Sequence, residues 1–144
     1  MTTPAPGTTV DLDGRGTLEL PAGFDERRTG TIDSRRGEIR RRGGGLTINY
    51  DIGAMSGLHM HPLKAASCLW FRDQALGDQR VYIGLADISG RQELTITLVP
   101  RVGIGPRDDG HSHPANFTAL IETNQDLADI LLIALSYRPR PRGQ

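Results

Sequence analysis

The segment GLTINYDI, residues 45–52, sets Leu46, Ile48, Tyr50 and Ile52 on one side of an extended chain and Thr47, Asn49 and Asp51 on the other. An alternation of period two is what a strand needs when one face is buried and the other meets water. The pattern recurs in RQELTITLV, residues 91–99, where Leu94, Ile96 and Leu98 oppose Thr95 and Thr97. In QRVYIGLADI, residues 79–88, both faces carry apolar residues, which predicts a strand with neighbours on each side. SCLWFR at 67–72 and ANFTALIE at 115–122 read as further strands, and VDL at 10–12, TLEL at 17–20, GTIDS at 30–34 and GEIRR at 37–41 as shorter ones. The links between them are short. ISGR at 88–91 carries the Ser-Gly signal of a tight turn, RRGE at 35–38 reads as another turn, and DQALGD at 73–78 as a brief connection with a glycine. Strands joined by such links pair antiparallel, because a parallel pair needs a long crossover.

One segment has helical character. In TNQDLADILLIALSY, residues 123–137, Thr123 or Asn124 supplies the N-cap and Asp126 falls in the first turn, where the helix dipole favours negative charge. Asp126, Asp129 and Ser136 form a narrow polar stripe, and the other residues from Leu127 to Tyr137 are apolar. A helix so apolar must be covered on most sides, by a curled sheet alone or by the sheet and a partner. The expected partner is another protein or a second copy of the chain docking on this C-terminal helix. The fold expected from these elements is α+β: a twisted antiparallel sheet of about six to eight strands, with one C-terminal helix across its concave face.

The chain of 144 residues is the size of one domain, with 1–9 and 138–144 reading as loose tails rich in proline, glycine and arginine. Eighteen glycines and an apolar fraction of 37% fit short strands and turns better than a bundle. The net charge is zero, so no field draws the whole molecule to nucleic acid or membrane. No apolar run approaches the ~20 residues needed to span a bilayer. A single cysteine, Cys68, excludes an internal disulfide and fits a reducing compartment. The start, MTTPAPGTTV, lacks the basic and apolar regions of a signal peptide. A cytoplasmic protein is therefore expected, with a trimmed exported domain as the alternative. Sixteen arginines and the single Lys64 make up the 17 basic residues, a bias that a GC-rich bacterial coding sequence produces.

All four histidines fall in two copies of His-x-His-Pro: His59 and His61 in GLHMHPLK, and His111 and His113 in GHSHPANF. Two histidines at i and i+2 of an extended segment point the same way. Two such pairs would offer four imidazoles to zinc or another transition metal, with Asp108 and Asp109 nearby. Against this, each copy is short, and proline simply favours an extended entry. A plain up-and-down order of strands also puts the 53–66 and 100–114 loops at opposite ends of the sheet. The densest basic stretch, RRGEIRRRGGG, holds Arg35, Arg36, Arg40, Arg41 and Arg42 as candidate contacts for phosphate or an acidic partner. No aromatic platform accompanies them, which argues against single-stranded nucleic acid, and the plainer reading is a charged edge strand. No nucleophile elbow or buried carboxylate pair stands out. The leading expectation is a non-catalytic binding or accessory domain that makes contact through the 53–66 and 100–114 loops, since loops of that length are uncommon without a role. The alternatives are a metal-binding protein or metal-dependent hydrolase using the histidines, and an arginine-mediated binder of phosphate or nucleic acid.

Overall fold

The structure is a computed structural model that describes residues 7–12, 16–30, 35–53, 68–77, 79–100 and 114–139. Among these residues ten strands and one helix follow in the order β1 (Thr8–Asp11), β2 (Gly16–Leu20), β3 (Phe24–Gly30), β4 (Arg35–Arg41), β5 (Thr47–Ile52), β6 (Cys68–Leu76), β7 (Gln79–Ile88), β8 (Arg91–Pro100), β9 (Ala115–Ile121), α1 (Asn124–Leu135) and β10 (Arg138–Pro139). The architecture is the expected α+β sheet closed by a C-terminal helix.

Seven strands form one antiparallel sheet in the order β3-β4-β5-β9-β8-β7-β6. It consists of two meanders, β3-β4-β5 and β6-β7-β8-β9, zipped together where β5 pairs with β9. The alternating residues decide which face is inside. Ile48, Tyr50 and Ile52 of β5, Leu94, Ile96 and Leu98 of β8, and Ala115, Phe117 and Ala119 of β9 are all buried. Against them α1 buries Ile130, Ile133 and Ala134, and Tyr137 follows at its end. A small sheet, β1-β2-β10, adds Leu12, Leu18 and Leu20 to the same core.

The β7–β8 turn is built on Ser89 and Gly90, both at positive φ (54° and 83°), as a two-residue hairpin of mirror-image turn type requires. The helix begins with a reciprocal capping box. The Asp126 N–H donates to Thr123 Oγ1, and the Thr123 N–H donates back to Asp126 Oδ2.

Several sequence expectations are corrected. Residues 24–30 form β3, an edge strand with no apolar alternation that the sequence did not announce; of GTIDS at 30–34, Gly30 ends this strand and the other residues lie outside the described ones. RRGE is no turn, because Arg35–Arg41 is one continuous strand. Gly37 sits in it because the Tyr50 ring lies over that position, and a Cβ there would come within 2.4 Å of the Tyr50 hydroxyl oxygen. Residues 73–76 extend β6 up to Gly77 instead of forming a connection. Thr8, Thr9, Arg138 and Pro139 are paired strand residues rather than tail.

Candidate functional site

The sheet order changes the placement of the histidine segments. Four antiparallel pairings separate β5 from β6, so the two strands run in the same direction. Ile52 at the end of β5, Ala115 at the start of β9 and Leu98 near the end of β8 are aligned across the sheet. The Gly53 N–H donates to the Pro114 carbonyl at 3.1 Å. The segment after β5 and the segment before β9 therefore leave the sheet at one end, not at opposite ends. An up-and-down order failed as a guide because β9 returns to insert between β5 and β8. His59, His61, His111 and His113 themselves lie outside the described residues, as do Asp108, Asp109 and most of both loops. Among the described residues, no group of three His, Cys, Asp or Glu side chains could hold a metal ion.

The five arginines of the basic stretch are dispersed by the pleat of β4, and each meets a carboxylate. Arg35 is buried, with 4% exposure. Its guanidinium lies 2.8 Å from Glu26 Oε1, and its Nε donates to the Tyr50 hydroxyl at 3.2 Å. The Tyr50 hydroxyl in turn donates to Glu26. Burial first, and then the bond to Glu26, push the Tyr50 phenol well above its ordinary value, so it stays protonated as a donor. Arg36 lies 3.6 Å from Asp51, Arg40 2.8 Å from Glu38 and Arg42 2.9 Å from Asp25.

Arg41 joins the sheet to the helix. Its two terminal nitrogens donate to Asp126 Oδ1 at 2.8 Å and Asp129 Oδ2 at 2.7 Å, and its guanidinium lies over the Phe24 ring at 5.8 Å. Burial alone would raise the Asp126 carboxyl. The Glu122 N–H, the Arg41 guanidinium and the Thr123 N–H outweigh it and hold the group below its ordinary value. The polar stripe of the helix is thereby consumed internally. Ser136, its third member, accepts from the Glu19 N–H of β2 at 2.9 Å. An external phosphate would compete with these carboxylates, most strongly at the buried Arg35 and at Arg41, which holds two of them.

The other flank of α1 faces an open trough. Leu127 and Leu131 form one wall, Ile83, Leu85 and Leu94 the floor, and Trp70 of β6 the far side. The trough measures about 670 Å³, within the range of sites that take a small ligand. Gln92, Thr123 and Asn124 line one end, where Glu122 is held by Arg91 at 3.3 Å. Trp70 is 47% exposed and Leu127 38%, so this apolar surface is left to solvent. Sequence reasoning passed over the trough because its walls come from strands and a helix distant along the chain. The spacing of Leu127, Leu131 and Leu135 at i, i+4 and i+8 was the available signal for a second apolar flank. Comparison with protein-family models, with curated proteins and with solved structures finds no match for this chain.

Proposed function

We propose that the protein is a non-catalytic binding domain that receives an elongated apolar group in the trough between α1 and the β6–β7 edge. The observation that carries this reading is the half-exposed Trp70 facing Leu127 and Leu131 across an apolar floor. Water in such a trough is readily displaced by hydrocarbon, at about 25 cal/mol for each Å² covered. The reading moves the contact surface from the two long loops to the helix flank. Trp70 is the only tryptophan of the chain, so its emission reports on the trough directly. Decan-1-ol, a flexible uncharged probe, is expected to shift Trp70 emission to shorter wavelength and to saturate. Leu127→Asp, on the exposed wall, is expected to abolish the shift while circular dichroism and Tm stay close to those of the parent. An unchanged shift in that variant would reject the trough.

A second reading rests on the Gly53–Pro114 bond. His59 and His61 follow Gly53 by six and eight residues, and His111 and His113 precede Pro114 by three and one. The second pair is thus tethered beside the sheet end that Gly53 leaves, and the first pair, six and eight residues on, is within chain reach of it, which is compatible with a shared transition-metal site. Zinc is expected to raise Tm by binding the folded state, and His111→Ala with His113→Ala to remove that effect. Absence of stabilisation by zinc or nickel would dismiss this reading.

A further inference from the structure

We infer that the ligand of the trough is a single-chain amphiphile with an anionic head, a free long-chain carboxylate, and that Arg72 reads the head. The inference rests on the trough reading above. Across β6 and β7, Trp70 is opposite Leu85, Arg72 opposite Ile83 and Gln74 opposite Val81. Residues directly opposite share a face, and Ile83 and Leu85 form the trough floor. Arg72 therefore rises on the trough side of the sheet, one rung from Trp70, about 7 Å along the strand. Gln74 follows on the same face and brings amide donors.

The charges around Arg72 are matched elsewhere. Asp73, its neighbour, lies on the opposite face and is held by Arg80 at 2.7 and 2.9 Å. At the other end of the trough, Glu122 is occupied by Arg91. Among the described arginines, the five of the basic stretch that the sequence singled out are carboxylate-bound, and Arg138 donates to the Leu135 and Tyr137 carbonyls. Arg72, which is exposed, has no ion-pair or hydrogen-bond partner among the described residues. An exposed cation beside an apolar trough, with a carboxylate fixed at the far end, gives the site a polarity. A hydrocarbon tail covers Trp70, Leu85 and Leu127 while its anionic head meets the planar fork of Arg72. A neutral amphiphile gains nothing from that fork, and a cationic one is repelled by it.

The test is a cycle of two probes and two proteins, read through Trp70 fluorescence at about pH 7, where a carboxylic acid is ionised. Decanoate and decan-1-ol are titrated into the parent and into Arg72→Gln. The ratio of decanoate affinity to decanol affinity is expected to fall about fivefold in Arg72→Gln and to shrink in the parent as salt is added. Decanol affinity is expected to be the same in both proteins. Equal ratios in the two proteins, with decanol still bound, would overturn the role of Arg72 and leave the trough standing. Failure of decanol to bind either protein would overturn both. Binding to anionic phospholipid vesicles without any binding of monomeric decanoate would transfer the surface to membranes and overturn the inference too.

Discussion

From β4 to β8 the inner face of the large sheet is roofed by α1 and the small sheet, and Val81 of β7 is buried with it, whereas over Ile83 and Leu85 of β7 and Trp70 of β6 the same face opens into a trough. The strands of the two regions obey the same alternation, so the difference lies above the sheet. A helix with its side chains is ~10 Å wide. Seven strands at ~4.8 Å spacing extend over ~29 Å. One helix cannot roof them all. The second roofing element among the described residues, β1-β2-β10, lies beside the helix, where Leu18 and Leu20 join the core. Arg41 ties the first turns of α1 to β4 through Asp126 and Asp129, whereas on the β7 side the buried Gln79 side chain reaches only the Tyr137 carbonyl past the end of α1. An apolar face left unroofed among the described residues is destabilising in isolation, and a ligand that covered it would stabilise the fold.

The comparison is broken most severely by emptying the roofed region. Phe117 is fully buried and packs against Tyr50 with ring centroids 6.4 Å apart. Phe117→Ala is expected to cost about 4 kcal/mol in urea unfolding, and Trp70→Ala in the open region about 1 kcal/mol or less. Equal losses would show that the trough is as tightly packed as the core. Next comes the clamp. Arg41→Ala leaves the buried Asp126 carboxylate with backbone donors only and is expected to cost about 2 kcal/mol. Because the folded Asp126 carboxyl lies below its ordinary value of 3.8, its contribution is fully present above that value. It is lost as the pH falls through the lower, folded value. From about pH 5 downward, Asp126→Asn is thus expected to lose stability less steeply than the parent. Parallel pH profiles of the two proteins would contradict the clamp.

A smaller effect is expected at Gly37. A Cβ there meets the Tyr50 hydroxyl oxygen, Cζ and Cε1 between 2.4 and 2.6 Å. Gly37→Ala is expected to cost about 1–2 kcal/mol and to disturb the Arg35–Glu26–Tyr50 network, visible as a shift of the Tyr50 ring resonances. The smallest effect belongs to the outer face of the helix. Leu132 is 60% exposed, and Leu132→Lys is expected to change stability by less than about 0.5 kcal/mol in thermal unfolding. A larger loss would mean that this face is covered in solution.

The sequence was informative where structure is decided locally. The alternation of β5, β7, β8 and β9 and the Thr123–Asp126 cap each depend on residues within a few positions of one another, and their strands and helix form as expected. The β3 edge gave no such signal, because a strand with polar residues on both sides carries no period to detect. Gly37 reads as a turn residue until Tyr50, thirteen positions later, is seen lying over it. The entry of β9 beside β5 is a long-range pairing that no short pattern announces, and with it went the relation between the two histidine segments. The trough was out of reach for the same reason. Trp70, Leu85 and Leu127 look like ordinary core residues one by one, and only the position of α1 shows that no roof reaches them among the described residues. The arginine cluster was visible, but its carboxylate partners on β3, β5 and α1 were not.

The location of the binding surface is tested most directly by methyl chemical shifts on addition of decan-1-ol. Saturable shifts at Ile83, Leu85, Leu127 and Leu131 are predicted, with Ile48 and Ile52 under the roofed region unmoved. Shifts centred elsewhere, or none at concentrations that saturate Trp70 emission, would contradict the account.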